Sequence, residues 1–343
     1  MRSTFSLSIL ISQKISFCFS LIAIMFLPIS VQADDDSTKA KLAAQSMLFD
    51  GISKQGVMVV VGERGHVLLS SNDENWEQII VPTRATLTGV YFHDKHNGWA
   101  VGHDAVILLT ADGGKHWQKT YYDPEGEIPL FDVWFKDDKQ GLAIGAYGLY
   151  LVSDDGGASW NTSEMNISEG ISGTDTEEEE TKAEDNDNFL DSYDVHLNSI
   201  GLSDNGKLYI AAEAGQIFRS DDFGESWVPL SSPYIGSFFG VLPLAGDSVL
   251  VYGLRGHLFR SDTAGDSWQE IKTPTQEMLT NAFLKTDGEI YITGLGGVIL
   301  KSTDEGMSFS LVEQGHRDGF TAIIQSSEDK LFTVGEKGVD LLK

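Results

Sequence analysis

The sequence predicts an all-β protein, a seven-bladed β-propeller of four-stranded blades. One pattern recurs about every forty residues: two glycines three positions apart, an apolar strand, and a turn of the form S/T-x-D-x-G-x-S-W. A unit of this length fits four short strands and their turns, which is one propeller blade. Seven copies therefore predict seven blades. The copies open at Gly62, Gly102, Gly145, Ala212, Gly253, Gly294 and Gly335.

Each repeat can be divided into strands A, B, C and D. In the second unit, LTGVYF (87–92) is predicted as strand A, GWAVG (98–102) as B and VILLT (106–110) as C, and Trp117 opens D. Strand B is apolar on both faces in several units, as in VMVVV (57–61). Such a strand is typical of a position between two neighbouring layers.

The turn between strands C and D carries the S/T-x-D-x-G-x-S-W motif, known as the Asp-box. The carboxylate is expected to accept backbone N–H bonds from the turn, and the aromatic residue to pack beneath the hairpin. We predict a structural role for these residues. They are Asp112 and Trp117, Asp155 and Trp160, Asp222 and Trp227, Trp268, and Asp304 and Phe309.

Closure of the ring needs one further prediction. The last residues, 338–343, are predicted as strand C of the seventh unit, which leaves that blade without strand D. We expect residues within 39–45 to return and supply it, since an open sheet edge would otherwise be exposed. Because KAKLAAQ has poor strand propensity, a helix or a loose cap is the alternative.

The N-terminal residues predict export. Arg2 and Lys14 precede an apolar run, and Val31-Gln32-Ala33 resembles a cleavage site, so residues 1–33 are predicted as a signal peptide and 34–343 as the propeller. A retained membrane anchor is the alternative. The single cysteine lies inside the predicted signal peptide, and this composition favours a periplasm or an equivalent lumen.

The chain is strongly acidic, with 51 Asp and Glu against 24 Lys and Arg and a net charge of −27. This charge argues against a nucleic-acid partner. Part of it lies in the long spacing between the third and fourth units, where residues 161–194 are predicted to be an acidic disordered insertion.

Antiparallel strand order sorts the loops between two faces of the predicted ring. The A–B and C–D turns share one face, and the G-x-x-G turns and blade-to-blade links share the other. Arginines and aromatic side chains on one face suggest a recognition surface. The residues predicted to form it are Arg64, Arg84, Arg255, Arg317, Tyr147, Tyr234, Phe238 and Phe239.

Motifs for catalysis and cofactors are not found. His93 and His96 fall in an A–B turn without a third ligand nearby in sequence, so a polar turn is favoured over a zinc site. We therefore predict no catalytic residue, metal or cofactor. A monomer is expected, because a closed ring leaves no sheet edge that requires pairing.

Three segments resemble one known family: WAVGHD (99–104), TADGGKHW (110–117) and SDDGGASW (153–160). They are similar to the photosystem II stability and assembly factor propellers. The resemblance implies a non-catalytic assembly factor that docks on a membrane-protein complex through an arginine-bearing surface. Arg64 and Arg255 are the closest counterparts by turn position, whereas the acidic charge departs from a broadly basic surface.

Two other functions remain open. A sialidase-like glycosidase shares Asp-boxes and needs three arginines around a substrate carboxylate, which Arg64, Arg84 and Arg255 could supply. Such enzymes have six blades, and the F/Y-R-I-P signature is absent. A propeller that binds a glycan or a peptide without catalysis is the third possibility.

Overall fold

Seven antiparallel sheets follow one another along the chain, which confirms the predicted seven-bladed propeller. The computed structural model describes residues 35–71, 75–168 and 195–342. The predicted signal peptide and residues 169–194 of the predicted insertion lie outside the described residues. No helix in the described part is long and apolar enough to cross a membrane.

The strands of the blades have the predicted order A–B–C–D. The A strands are Leu48–Lys54, Leu87–Phe92, Leu130–Phe135, Leu197–Leu202, Phe238–Pro243, Leu279–Leu284 and Phe320–Gln325. The B strands are Val57–Gly62, Gly98–Gly102, Gly141–Gly145, Leu208–Ala212, Val249–Gly253, Ile290–Gly294 and Leu331–Gly335. The C strands are Val67–Ser70, Ile107–Thr110, Tyr150–Ser153, Ile217–Ser220, Leu258–Ser261, Ile299–Ser302 and Gly338–Leu341. The D strands of the first six blades are Glu77–Ile79, Gln118–Tyr121, Asn161–Thr162, Val228–Pro229, Gln269–Glu270 and Ser310–Leu311.

Short 3-10 turns join strands B and C in the first six blades. They are Glu63–Gly65, His103–Ala105, Ala146–Gly148, Glu213–Gly215, Leu254–Gly256 and Leu295–Gly297. The first glycine of the repeat ends strand B against strand A, where a Cβ on Gly102 would lie 2.1 Å from the Thr86 carbonyl oxygen. The second glycine has a positive φ, as at Gly65 with +68°, which glycine adopts without steric cost.

The hydrophobic core is divided among the interfaces between neighbouring blades. Each cluster of buried residues joins two neighbouring sheets; Val59 and Val61 of the first blade, for example, pack with Val90 and Ala100 of the second. The last cluster joins Phe332 of the seventh blade to the first blade and so closes the ring. Strand B is buried on both faces because it is covered on each side by a neighbouring blade.

The prediction that residues within 39–45 supply strand D of the seventh blade is wrong. That blade has three strands in the described part of the chain, and a 3-10 turn, Ala43–Gln45, packs beside Gly338 at its outer edge. The preceding residues run along the first blade instead, where Ser37 exchanges hydrogen bonds with Val81. The alternative prediction of a helix or cap therefore describes this segment better, since its alanines favour a tight turn over a strand.

The C–D hairpins show the hydrogen bonds expected of Asp-boxes. Asp304 accepts bonds from the backbone N–H and hydroxyl of Ser308 and from the Ser302 hydroxyl, and these bonds, led by the Ser308 hydroxyl, lower the pKa of Asp304 to about 2. Asp112, Asp155 and Asp222 accept equivalent bonds. Trp117, Trp160 and Trp227 are buried beneath their hairpins, and Trp268 and Phe309 are partly buried.

The start of the insertion runs along the neighbouring blade. Residues 166–168 lie against the outer strand of the fourth blade, where the Trp227 N–H donates to the Asn166 carbonyl and the Ser168 N–H donates to the Trp227 carbonyl. The Asn166 amide also donates to the Glu225 carbonyl. The described beginning of the insertion is therefore part of the junction between the third and fourth blades.

Candidate binding face

The 3-10 turns and the blade-to-blade links share one face of the propeller. The middle residue of each turn has a left-handed backbone, with φ of 55° at Arg64, 57° at Arg255 and 52° at Tyr147. Each of these three side chains is exposed. After Arg64 and Arg255 the following glycine is buried, and a Cβ there would meet the backbone of the blade-to-blade link. We call this surface the arginine face.

All four predicted arginines are exposed on this face. The Arg64 side chain is 80% exposed and lies 3.9 Å from Glu63, and the Arg84 Nε donates to the Asp36 carbonyl. The Arg317 side chain is 86% exposed, with Glu277 at 3.6 Å. Arg255 is exposed and has no ion pair among the described residues. Exposed ion pairs of this kind contribute little to stability, which leaves these guanidinium groups available to a partner.

The two remaining arginines of the described chain have a different role. Arg219 donates to the Ala264 carbonyl and to Asp266, and Arg260 donates to the Glu305 carbonyl and to Asp262. Each therefore ties its blade to the next Asp-box hairpin. This contrast separates structural arginines from those on the arginine face.

The predicted aromatic residues divide between surface and core. Tyr147 is 59% exposed and its ring stands edge-on to His196. Tyr234 is half-buried and packs on His257, with ring centroids 4.2 Å apart. Phe238 is fully buried in the core between the fourth and fifth blades, so its predicted place on the binding surface is wrong. It opens strand A, where the side chain points into the neighbouring blade.

Phe239, in contrast, faces the central channel. Together with Phe49 and Phe131 it lines a cavity of about 120 Å³. These three half-buried phenylalanines follow the first residue of strand A in the fifth, first and third blades, at the arginine-face end of the channel. The arginine face therefore surrounds a mouth that is partly aromatic.

Two carboxyl groups lie below this mouth and were not predicted. Asp50 accepts the Val90 N–H of the next blade, and Asp132 accepts the Ile200 N–H of the next blade, at 2.9 and 2.8 Å. Burial raises the pKa of Asp50 to about 7, with a further contribution from Asp132, and burial raises that of Asp132 to about 6. The sequence does contain a signal for these two residues, since each is the third residue of its strand A. The shared position is visible only when the blades are aligned on the bulge.

Four further junctions between blades are made at this level by a different contact. The side chains of Thr88, Asn198, Thr280 and Thr321 donate to a carbonyl oxygen of the following blade. Thr321 reaches the Leu48 carbonyl at 2.9 Å and so joins the last blade to the first. The channel residues thus hold the ring together, and the surface around the mouth remains open to a partner.

No group of three or more histidine, cysteine, aspartate or glutamate side chains within the described ranges could hold a metal ion. His93 and His96 lie in the A–B turn on the opposite face, where Asp94 accepts the His96 and Asn97 N–H groups. The arrangement is that of a polar turn. The arginine face therefore presents cationic side chains around a partly aromatic opening.

Comparison with known proteins supports the resemblance seen in the motifs. The family model described as "Photosynthesis system II assembly factor YCF48" matches residues 68–162. Over 43 residues the chain is 46% identical to the photosystem II assembly protein Ycf48 of Thermosynechococcus vestitus, an alignment that covers 12% of each protein. The chain thus matches only a small part of the length of that curated relative.

Two solved structures share the fold over most of their length. The structure titled "YCF48 bound to D1 peptide" has a TM-score of 0.63 and 17% identity, covering 88% of this chain and 97% of that one. YCF48 from Cyanidioschyzon merolae has a TM-score of 0.64 and 17% identity, covering 86% and 95%. The resemblance to the photosystem II assembly factor-like family is confirmed.

Proposed function

We propose that this chain, which resembles the photosystem II assembly factors, is a non-catalytic docking factor for the assembly or stability of a membrane-protein complex. The observation that carries this proposal is the arginine face. Four exposed guanidinium groups and Tyr147 surround a partly aromatic mouth in a chain whose net charge is −27. Arginine and aromatic side chains are enriched where proteins bind proteins.

The partner that this chemistry favours is a segment carrying carboxylates and apolar side chains. Arginine binds a carboxylate through two parallel N–H donors, and a partly aromatic mouth can receive apolar side chains. One similar solved structure is titled as bound to a D1 peptide. We extend this to a photosystem II subunit, or to a comparable subunit of another membrane complex, as the partner here.

The proposed location is outside the cytoplasm. The predicted signal peptide, residues 1–33, would export the propeller to a periplasm or an equivalent lumen, where it acts as a monomer at the membrane surface. The acidic charge of the rest of the chain disfavours adsorption to anionic lipid. Contact with the membrane would then depend on the protein partner.

A sialidase-like activity is the less favoured alternative. It requires three arginines that converge on one substrate carboxylate, but Arg64 lies on the first blade and Arg255 on the fifth, and no arginine lines the channel cavity within the described residues. The buried acids Asp50 and Asp132 are occupied by backbone N–H groups of neighbouring blades. The contacts therefore favour binding over catalysis.

The test is an affinity capture from detergent-solubilised membranes with the chain from residue 34 onward. Wild type is compared with Arg64→Glu/Arg255→Glu, and with Lys115→Glu/Lys139→Glu as a control. The control makes the same change of charge at exposed positions on the opposite face. Circular dichroism and thermal unfolding establish that each variant is folded.

We expect mass spectrometry to identify subunits of one membrane complex with wild type and with the lysine variant, and their loss with the arginine variant. Binding of the corresponding synthetic peptides should then follow the same order. Equal capture by all three proteins, or capture of no defined complex by wild type, would refute the proposed docking function.

A further inference from the structure

A second candidate site lies on the face opposite to the arginine face. A cavity of about 290 Å³ opens between the third and fourth blades, beside the Asp-box hairpin of the fourth blade and the A–B turn of the third. We call it the blade 3–4 cavity. Its size is at the lower end of that of small-molecule sites in proteins.

The cavity lies beside a strand B residue that is smaller than its counterpart at the preceding junction. In the preceding junction Trp99 of strand B fills the equivalent space, and its indole N–H donates to the Gly156 carbonyl of the next hairpin at 3.1 Å. The corresponding residue of the third blade is Leu142. Leucine is smaller than tryptophan and has no N–H group, so space remains beside the fourth-blade hairpin.

An aromatic wall borders this space. The rings of Trp134 and Phe223 are parallel within 2°, with centroids 6.4 Å apart, and the Lys136 ammonium lies 4.7 Å from the Phe223 centroid. Trp134 is largely buried, whereas Phe223 is 38% exposed. The wall is therefore rigid at its base and open at its edge.

Phe223 occupies an unfavourable backbone conformation for a large side chain. Its φ is +60°, at the hairpin position where the other described boxes have smaller or more polar residues. A bulky residue with a positive φ is uncommon, and such strain concentrates at binding sites. The equivalent residues are Gly113, Gly156, Ala264 and Glu305.

Part of the cavity lining is polar and comes from the start of the insertion and from the fourth-blade hairpin. Glu164 and Asn166 line it from that segment, and Glu225 lines it from the hairpin. The segment is held in place because the Asn166 amide donates to the Glu225 carbonyl at 3.1 Å. Exposed carboxylates and an aromatic wall thus line the same small opening.

We propose that the blade 3–4 cavity binds one residue of a neutral saccharide. The C–H face of a sugar ring packs on an aromatic side chain, and its hydroxyls donate to carboxylate and amide oxygens, which are the two kinds of surface present here. An anionic sugar is disfavoured, since Glu164, Glu225 and Asp154 all line the cavity against the single cation of Lys136. This site is separate from the docking function proposed above and does not depend on it.

The test is calorimetric titration of the protein with glucose, galactose, mannose, N-acetylglucosamine and their disaccharides at millimolar concentration. Tryptophan fluorescence serves as the second readout because Trp134 lies in the wall. Phe223→Gly removes the ring at a φ that glycine adopts freely, and Leu142→Trp refills the cavity as Trp99 does in the preceding junction. Glu305→Gly makes the same kind of change at the equivalent position of the sixth blade and is the matched control.

We expect one sugar to bind wild type and Glu305→Gly alike, and the other two variants to bind it at least about tenfold more weakly. The melting temperature of Phe223→Gly should equal or exceed that of wild type, which separates lost binding from lost folding. Absence of binding by every sugar, or binding by Phe223→Gly and Leu142→Trp that is as tight as that of wild type, would overturn the proposal.

Discussion

Replacing Asp50 with asparagine should change how the stability of the propeller depends on pH. The Asp50 carboxyl accepts the Val90 N–H inside the channel, and burial raises its pKa from 3.8 to about 7. A carboxyl whose pKa is raised in the folded state stabilises that state while it is protonated. This contribution is complete below the unfolded pKa and is lost as the pH rises through the folded pKa.

The size of the expected change in unfolding free energy follows from the pKa shift of Asp50. Each pKa unit corresponds to about 1.4 kcal/mol, so a rise from 3.8 to about 7 makes ionised Asp50 cost the folded state up to about 4 kcal/mol at pH 8. At pH 5 the unfolded carboxyl is ionised and the folded one is not, and the cost is about 2 kcal/mol. Asparagine keeps an oxygen that accepts the Val90 N–H and does not ionise. The stabilisation by Asp50→Asn should therefore be larger at pH 8 than at pH 5, by about 2–3 kcal/mol.

The assay is urea unfolding at pH 5 and pH 8, followed by tryptophan fluorescence. Asp137→Asn is the control, because the pKa of Asp137 is shifted in the opposite direction. Backbone hydrogen bonds from Gln140 and Lys139 lower this pKa. A lowered pKa gives stability that is lost only as the pH falls through the folded pKa, so this control should not alter the change between pH 5 and pH 8. If Asp50→Asn and wild type lose the same stability between the two pH values, the argument that Asp50 is protonated in the folded ring is refuted.

Three further substitutions test the packing of the ring. Trp227→Ala empties a fully buried site beneath a hairpin and should cost about 3–5 kcal/mol in urea unfolding, and a loss below 1 kcal/mol would contradict this role. Thr321→Val removes the hydroxyl that bonds the first blade and should cost about 1 kcal/mol; no loss would mean that this bond does not help to close the ring. Gly338→Ala should lower the melting temperature more than Gly288→Ala. Both have φ near +92°, but only the former would bring a Cβ within 1.9 Å of the Ala44 carbonyl oxygen, so equal losses would argue against that contact.

The regular parts of the propeller could be predicted from the repeat. Strand order and the Asp-box bonds depend on residues within one unit, where glycine, aspartate and the apolar run lie close in sequence. The B strands are marked by their own apolar runs, although neighbouring blades bury them. The outer edge of the seventh blade, which has three strands in the described part of the chain, was not predictable in this way. Residues 37–40 bond to Gln78 and Val81 of the first unit, and these contacts lie outside the repeat pattern.

The candidate sites were predictable only in part. Loop direction placed Arg64, Arg84, Arg255 and Arg317 on one face, because antiparallel order fixes where each turn lies. The same reasoning assigned Phe238 to that face, although the bulge at the start of strand A turns it into the core. Which of two adjacent phenylalanines faces the channel depends on that bulge and not on their position in the repeat.

The sequence by itself determined the number of blades, their strand order and the hairpins, because each depends on hydrogen bonds and burial patterns local to about forty residues. Tertiary structure decided what meets between blades. The bond from the Val90 N–H to Asp50 and the space beside Leu142 both join residues of neighbouring units. The relative positions of these residues are fixed only once the ring is closed, since each blade is positioned by the blades on either side.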